Sequence, residues 1–510
     1  MRVGYLVLAL AVLSSIAHAG SASAPVAHFV EGAAAGRTSD GVTTYLGMPY
    51  AAPPVGSLRW RAPQPTRPWS GVRQATAFAP ACAQTAEWIT EQKSEDCLYL
   101  NVWAPSNASR GKLPVMVWIH GGGFFGGSGA QPLYDGSRLT KRGVIVVTIN
   151  YRLGVFGFFA HPELTAREHV TGNQGLLDQV AALRWVKRNI AAIGGDPDRV
   201  TIIGESAGAE SVAILTTSPL AAGLFSRAIA ESGNDGMPLN AAEVSDYDLK
   251  KAEAAGTALG DRLGHRSLAA LRRVPAAELL RQPWSPLPTL DGTVIPRDMT
   301  AAYKKGRVNR VPLLLGWNSN EGVDLAPEIL RTDALTAASY PTLVERLLRH
   351  PPGPDVHAIY PAEGDAQART SLDQLVTDWW GWRMWTWADL HRAHQAQPVY
   401  AYYFVHWPAE PASPCSYGCR AGHGAEIPFA FDQLGQDNRA WRDSDRLLSD
   451  EMATYWTNFA KHGDPNGPTL PRWSPFDGSD ASVIRLGEQE EVRMRGTLPD
   501  FAIFETVAGR

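Results

Sequence analysis

Residues 200–208, with the sequence VTIIGESAG, contain an apolar run that leads directly into a G-x-S-x-G pattern centred on Ser206. The run predicts a short strand buried on both faces, and the small residues that follow it predict the start of a helix. Between a strand and a helix, this pattern is typical of a sharp turn that holds its serine in a strained conformation. We therefore expect the Ser206 hydroxyl at the carboxyl end of a sheet, where open α/β sheets bind ligands.

Other parts of the chain repeat the alternation of buried strands and helices. Further apolar runs bounded by turn residues lie at residues 115–119, 144–149, 311–315 and 399–404. Residues 176–190 carry apolar side chains at three- and four-residue spacing before a Gly-Gly-Asp-Pro turn, which predicts a helix that ends there. This order predicts an α/β fold with a mostly parallel central sheet. Residues 240–282 and part of 343–387 are expected to form helical insertions over one end of the sheet.

The composition is that of a folded globular protein, and it excludes several classes of function. The 510 residues are 45% hydrophobic and 19% charged, which excludes a disordered chain, a collagen-like repeat and a coiled coil. The formal net charge is −4, so the chain lacks the strongly basic field that nucleic-acid binding requires.

The first nineteen residues have the pattern of a signal peptide. Arg2 supplies the positive start, an apolar run follows at residues 5–13, and Ala17-His18-Ala19 is a small-x-small cleavage pattern. A membrane anchor is the alternative, but the run is too short to span about 30 Å of hydrocarbon comfortably. We expect export from the cytoplasm, to the periplasm or the medium, with no membrane anchor after cleavage and one domain over residues 20–510.

Four cysteines remain in the mature part of the chain: Cys82, Cys97, Cys415 and Cys419. An even number in an exported chain favours two disulfides. Pairing Cys82 with Cys97 and Cys415 with Cys419 closes the shortest loops. A zinc site formed by Cys415, Cys419 and His423 is an alternative, as is a free and redox-active pair at Cys415 and Cys419.

A glycine-rich segment follows the strand predicted at residues 115–119. It reads His-Gly-Gly-Gly-Phe over residues 120–124. Consecutive glycines let backbone N–H groups approach a ligand without obstruction by side chains. The N–H groups of Gly122 and Gly123, together with that of Ala207, can supply three donors to a tetrahedral oxyanion.

A serine nucleophile needs a base, and the base needs an orienting acid. Glu321 follows the strand predicted at 311–315, and Asp324 in the same loop is the second choice. His423 is flanked by glycines in a loop after a later strand. His406 and His462 are expected to be structural. The order serine, acid, histidine is that of the fold in which G-x-S-x-G forms such a turn.

A dense aromatic segment at residues 379–387 offers a wall for a substrate pocket. If it is helical, Trp379 and Trp382 share one face at i,i+3 spacing, with Phe124 and Phe125 of the glycine-rich segment opposite. The other interpretation places these rings in the core. An aromatic-lined pocket would favour bulky, partly apolar substrates.

Together these motifs resemble the type-B carboxylesterase family, the α/β-hydrolases that include cholinesterases and bacterial para-nitrobenzyl esterases. The resemblance runs over nearly the whole mature chain. The stretches that carry it are YLGMPYA (45–51), PPVG (53–56), LRW (58–60), SEDCLYLNV (94–102), NYRLG (150–154), NQG (173–175), GGDP (194–197) and VTIIGESAG (200–208).

The resemblance implies a role for each residue that matches a family motif. It implies a disulfide between Cys82 and Cys97, a bond between Glu426 and Ser232 behind the histidine, and no metal or organic cofactor. It also implies that Ser206 is the nucleophile, Glu321 the acid and His423 the base. The oxyanion hole that it implies is formed by Gly122, Gly123 and Ala207. Two departures are that no cysteine pair follows the nucleophile region, and that Cys415 and Cys419 lie outside the family pattern.

The function that the resemblance implies is hydrolysis of small-molecule carboxylic esters through an acyl-enzyme. A specialised esterase that detoxifies a bulky toxin such as a fumonisin is one alternative. A peptidase or a lactonase would use the same triad, and some family members without the triad serve as adhesion proteins. Because all three triad positions are filled here, an enzyme is expected.

Overall fold

A central ten-stranded sheet organises the computed structural model, which describes residues 24–108, 112–168, 171–233, 247–349, 351–408, 420–436, 439–487, 498 and 501–505. We number its strands β1–β10 in chain order. Their bounds are Arg37–Ser39, Val42–Pro49, Tyr99–Pro105, Leu113–Ile119, Ile145–Ile149, Gly195–Glu205, Arg227–Glu231, Leu313–Asn318, Val399–Phe404 and Val483–Leu486.

The strand order is β10-β9-β8-β7-β6-β4-β5-β3-β2-β1. Strands β4 to β10 are parallel to one another, and β3, β2 and β1 continue the sheet in antiparallel pairing. Shorter strands form a three-stranded sheet and a two-stranded sheet beside it: Val26–Phe29, Gly32–Ala35 and Val72–Gln74, and Ala81–Cys82 with Lys93–Ser94.

Helices connect the strands and cover the sheet, and we number the described α-helices α1–α16. Their bounds are Ser137–Lys141, Gly154–Gly157, Pro162–Glu168, Gln174–Asn189, Ala207–Thr217, Leu249–Arg262, Leu268–Leu271, Ala276–Leu280, Met299–Lys304, Glu321–Leu330, Tyr340–Leu348, Pro354–Ile359, Asp365–His394, Ile427–Ala430, Asp443–His462 and Ala502–Glu505. Short 3-10 turns lie at Gly56–Leu58, Pro132–Tyr134, Ile190–Ile193, Pro219–Ala221, Leu434–Gln436 and Asp480–Ser482.

Both faces of the sheet are buried, which explains why its strands are continuous apolar runs. In β4, Val115 and Val117 face one hydrophobic cluster while Met116 and Trp118 face another. Helices α4, α5 and α13 contribute to the first cluster, and α15 contributes to the second. Side chains alternate along a strand, so every position of a doubly covered strand must be apolar. The predicted α/β architecture with helices on both faces is therefore present.

Several predicted elements differ in their limits from the observed ones. The helical insertion expected at 240–282 consists, from residue 247 onward where the structure describes it, of α6, α7 and α8, which are separated at Gly264 and Pro275. Gly194 ends the helical segment in a left-handed conformation with a φ of 86°, as expected, but Asp196 and Pro197 belong to the start of β6, whose register shifts between Gly195 and Val200. His462, which is expected to be structural, is the last residue of α15. Within the described residues, no helix has the length and hydropathy needed to cross a membrane.

Candidate active site

Ser206 occupies a strained turn between β6 and α5. Its φ is 55° and its ψ is −126°, and its N–H donates to the carbonyl of Glu231 at 2.9 Å. The helix can begin immediately after it because Gly208 lies against the backbone at the end of β4, where a Cβ would overlap the carbonyl oxygen of Ile119. A backbone in this sparsely populated region persists only when its surroundings fix it, and here the surroundings hold Ser206 at the carboxyl end of the sheet.

The glycine-rich segment forms a tight turn next to Ser206. The N–H groups of Phe125 and Gly126 both donate to the carbonyl of Gly122, each at 3.0 Å. A Cβ on Gly121 would lie 3.0 Å from the Cβ of Ser206, so the segment runs directly past the serine. Among the described residues, none accepts a backbone hydrogen bond from the N–H groups of Gly122 or Gly123.

Glu321 and His423 form a buried pair beyond the ends of β8 and β9. The Nδ1 atom of His423 lies 2.6 Å from Glu321 Oε2, and the N–H of Asn318 donates to Glu321 Oε1 at 2.8 Å. Because an ionised carboxylate can only accept, Nδ1 is the donor. This arrangement leaves Nε2 as the nitrogen that can take a proton.

The second nitrogen of His423 faces the turn that contains the serine. Nε2 lies 3.2 Å from Glu205 Oε1, and both side chains are buried. Burial works to lower the pKa of His423, but the charges of Glu205 and Glu321 and the hydrogen bond to Glu321 outweigh it, so the pKa is raised. Burial raises the pKa of Glu205 in turn.

Glu426 connects the loop that contains His423 to the ends of strands β7 and β8 through hydrogen bonds. Its Oε1 lies 3.4 Å from Ser232 Oγ, its Oε2 accepts from Asn318 Nδ2, and the same amide donates to the carbonyl of Gly422 at 2.8 Å. The side chain is fully buried, and burial raises its pKa. The contact with Ser232 is the one that the family resemblance implies. Sequence reasoning did not single out Asn318, which lies at the end of β8.

A further buried carboxyl, that of Glu231, lies at the end of β7. Its Oε1 accepts from Trp456 Nε1 at 2.6 Å, and its backbone pairs with Glu205 across the strands. Burial, the charge of Glu426 and other neighbours raise its pKa well above the ordinary value. Carboxyl groups buried near one another disfavour one another's ionisation, and the charges of Glu426 and Glu205 act on Glu231 in this direction. The sequence offered no signal for this arrangement beyond the glutamates themselves.

The aromatic side chains divide between the site and the core. The ring of Trp380 meets that of His423 edge-on, with centroids 5.7 Å apart, although the sequence singled out its neighbours. Trp382 is 2% exposed and stacks on Phe504. Phe124 is likewise buried, against Phe158. Both are core residues, which corrects the expectation that they line a pocket, because i,i+3 spacing alone does not fix which face of a helix is covered.

The other two expected pocket residues are less buried. Trp379 is half-buried, and the guanidinium of Arg383 lies over its ring at 4.9 Å. Phe125 is 39% exposed and packs edge-on against Trp88, which is also exposed. Exposed aromatic surface beside the glycine turn therefore comes from Phe125 and Trp88, and sequence reasoning did not find Trp88.

The remaining candidates have separate partners. Asp324 Oδ2 accepts from the backbone N–H of His423 at 3.0 Å and thus holds the histidine loop, while Glu321 contacts the ring. His406 Nε2 lies 2.6 Å from the buried Asp445. Cys415 and Cys419 lie outside the described residues, as do residues 1–19. In the described part of the chain, no group of three or more His, Cys, Asp or Glu could hold a metal ion.

The chain as a whole is similar to known proteins. A model described as the carboxylesterase family matches residues 24–502. The chain belongs to this family. It is therefore a carboxylic ester hydrolase with the α/β-hydrolase fold, as the resemblance implied.

Individual relatives of this carboxylesterase are similar over most of their length. A fumonisin B1 esterase from Sphingopyxis macrogoltabida is 38% identical over 492 residues, which cover 91% of this chain and 86% of that protein. A para-nitrobenzyl esterase from Bacillus subtilis (strain 168) is 37% identical over 485 residues, covering 89% and 93%. A solved structure of a PNB esterase superposes with a TM-score of 0.74 at 34% identity, over 91% of this chain and 96% of that one.

Proposed function

We propose that Ser206 is the nucleophile of this esterase, with His423 as its general base and Glu321 as the acid that orients the imidazole. The observation that carries the proposal is the 2.6 Å contact between His423 Nδ1 and Glu321 Oε2, with Nε2 facing the turn that holds Ser206. Donation from Nδ1 selects the tautomer in which Nε2 accepts a proton, and the carboxylate stabilises the imidazolium that forms.

The reaction proceeds in two steps. His423 Nε2 takes the Ser206 proton as Oγ attacks the ester carbonyl, and N–H groups of Gly122, Gly123 and Ala207 stabilise the oxyanion. The bond from the carbonyl carbon to the alcohol oxygen then breaks, and His423 returns the proton to the leaving alcohol. Water, deprotonated by His423, attacks the acyl group on Oγ, and the carboxylic acid and free serine are released.

The substrate class that we propose is a bulky, partly apolar small-molecule ester. The exposed rings of Phe125 and Trp88 beside the glycine turn support it, because aromatic walls favour apolar groups of matching size. A bulky toxin such as a fumonisin is a second candidate, supported by the 38% identity to a fumonisin B1 esterase. Turnover of fumonisin B1, para-nitrobenzyl esters and small esters, with an amide control, distinguishes these substrates.

We also propose that residues 1–19 are a signal peptide and that residues 20–510 form one domain of a secreted or periplasmic protein. The disulfide between Cys82 and Cys97 supports an oxidising compartment. Terminal sequencing of the exported protein should begin at Gly20. A mature protein that keeps Met1 would contradict this proposal.

A second disulfide, between Cys415 and Cys419, is proposed to clip the loop before His423. Closing about five residues stabilises the chain by only about 2 kcal/mol in the chain-entropy model. A small displacement of the base His423 can lower the rate strongly. The disulfide should therefore affect turnover more than melting temperature. Thiol titration of the denatured, unreduced protein tests it. Two free thiols that map to Cys415 and Cys419 would refute it.

The experiment that tests the catalytic proposal compares alanine variants of the two serines that flank α5, Ser206 before it and Ser218 after it. Ser206→Ala should abolish nearly all turnover of a para-nitrophenyl ester and leave the melting temperature close to that of the wild type. Ser218→Ala, at the other end of the same helix and more deeply buried than Ser206, should keep wild-type turnover. Wild-type-like activity of Ser206→Ala would overturn the assignment.

A further inference from the structure

Gln84, a buried residue of the loop closed by the Cys82–Cys97 disulfide, is hydrogen-bonded to the end of the glycine turn. The amide of Gln84 makes a two-way pair with Gly127, in which Nε2 donates to the Gly127 carbonyl and Oε1 accepts from the Gly127 N–H, each at 2.8 Å. Nε2 also donates to the Cys82 carbonyl at 2.9 Å. Gln84 is only 5% exposed, so water does not readily replace these bonds.

Gly127 cannot move without disturbing the start of the glycine segment. Its φ is 126°, and a Cβ at this position would overlap the imidazole of His120. His120 is itself held from the other side, because its ring stacks on Tyr151, whose hydroxyl donates to the His120 carbonyl at 2.8 Å. The hydrogen bonds of Gln84 thus hold Gly127, at the end of the turn, next to His120, at its start.

The turn between Gly121 and Gly127 is held in its middle by Phe124, whose ring packs against Phe158 and whose carbonyl accepts from the N–H of Gly154 at 2.8 Å. Its internal hydrogen bonds run from Phe125 and Gly126 to Gly122, and its tip contains glycines, which restrict backbone rotation least. The disulfide loop adds packing at the same place, since a Cβ on Gly126 would lie 2.7 Å from both Ala86 Cβ and the Trp88 ring. The direction of the N–H groups of Gly122 and Gly123 therefore depends on how Gly126 and Gly127 are held as well as on Phe124.

We propose that Gln84 is a positioning residue for ester hydrolysis, which aligns the N–H groups of Gly122 and Gly123 through its paired hydrogen bonds to the backbone of Gly127. This inference rests on the oxyanion role of those N–H groups in the proposed function. It adds a role for the disulfide loop, which carries the amide that sets the oxyanion-binding geometry.

The physical consequence is selective for the transition state. Oxyanion donors contribute most when charge develops on the carbonyl oxygen, and little when the neutral ester binds. Loss of one such donor typically lowers kcat by about 10²- to 10³-fold. Misaligned donors should therefore lower kcat and the affinity for tetrahedral adducts, and KM should change little.

The test compares Gln84→Leu with Gln433→Leu, a matched control. Gln433 is also 5% exposed and donates to a backbone carbonyl, that of Asp135, at 2.7 Å. Active sites are counted by fluorophosphonate titration, so that kcat refers to folded, reactive enzyme. We expect Gln84→Leu to lower kcat about 30-fold with KM within about threefold, and to weaken a trifluoromethyl ketone inhibitor in parallel. Gln433→Leu should keep both.

Each other outcome contradicts the inference. Unchanged kcat per titrated site in Gln84→Leu, or a fall equal to that of Gln433→Leu, would show that Gln84 is only structural. If Gln84→Leu does not fold, Gln84→Glu is the second variant, because it keeps the side-chain size and the acceptor for the Gly127 N–H. It should fold and also lower kcat, because it loses the donation to the Gly127 carbonyl. Failure of both to fold would also overturn the proposal.

Failure of this inference is distinguishable from failure of the proposed function. Wild-type enzyme that turns over the ester, loses turnover in Ser206→Ala and keeps it in Gln84→Leu would contradict the role of Gln84 alone. Ester turnover that survives Ser206→Ala would contradict the nucleophile assignment, and the Gln84 proposal would fall with it.

Discussion

The Nε2 atom of His423 lies 3.2 Å from the Oε1 atom of Glu205, so the imidazole that we propose as the general base has a carboxyl group at each of its two nitrogens. A negative charge this close favours the imidazolium and raises the pKa of His423. Because the protonated ring cannot accept the serine proton, the fall of activity at low pH should begin above the ordinary histidine pKa of about 6.5.

Replacing Glu205 with glutamine should shift the acid limb of the pH profile. The substitution removes a charge that raises the pKa of His423, so the midpoint of kcat/KM against pH should move down by about one unit. The control is Glu31→Gln, which removes another buried carboxylate that pairs with Arg188. An unchanged or higher midpoint in Glu205→Gln would contradict the electrostatic assignment.

Glu231 should make stability fall as pH rises. Its folded-state pKa is raised, so the folded protein keeps a proton that the unfolded chain releases above about pH 4.5, and the contribution of Glu231 declines with increasing pH. The amide introduced by Glu231→Gln does not titrate and can still accept from Trp456. The variant should therefore gain stability relative to wild type in urea titrations as the pH rises above about 4.5. A difference that is constant or shrinks would contradict the raised pKa.

The contacts of Glu426 should contribute to both stability and turnover. Glu426→Ala leaves the buried Ser232 hydroxyl and Asn318 amide without this partner, which should cost about 3 kcal/mol of unfolding free energy. Glu426→Gln keeps the side-chain volume and some of the hydrogen bonds, so it should lose less unfolding free energy and less turnover than Glu426→Ala. If Glu426→Ala unfolds at the same urea concentration as the wild type, the hydrogen bonds of Glu426 do not stabilise the His423 loop.

Substitutions of two aromatic residues should have opposite effects, one on substrate selectivity and the other on stability. Phe125→Ala removes an exposed ring beside the glycine turn, and it should change the ratio of kcat/KM between bulky and small esters. Trp382→Ala empties part of the core against Phe504, so it should cost about 4 kcal/mol and leave that ratio unchanged. Substrate panels and urea unfolding on both variants check the contrast, which a selectivity change in Trp382→Ala would contradict.

The fold could be predicted because its decisive residues are local in sequence. The strand before Ser206, the helix after it and the apolar run of β4 each follow from patterns a few residues long. The limits of the insertions were less predictable, because Gly264 and Pro275 break a stretch with an otherwise helical composition. The register shift near Gly195 depends on pairing with β4, which the local sequence does not specify.

The site could be predicted only where motifs name its residues. Glu321 and His423 follow from chain order and strand ends, whereas the partners of Glu205 and Asn318 come from distant segments. In α13 both faces are largely buried, so periodicity could not identify Trp380 as the ring beside His423. The amide of Gln84 carries no chemical signature, and only its contacts with Gly127 reveal a role.

The most direct test of the central claim is the site of reaction with a fluorophosphonate, followed by intact-mass measurement and peptide mapping. We expect wild-type protein to gain one adduct, located on Ser206, and Ser206→Ala to gain none, with Ser218→Ala labelled as the wild type is. Because the reagent needs a serine activated by its base, His423→Ala should label far more slowly. An adduct on another residue, or labelling that persists in Ser206→Ala, would contradict the account.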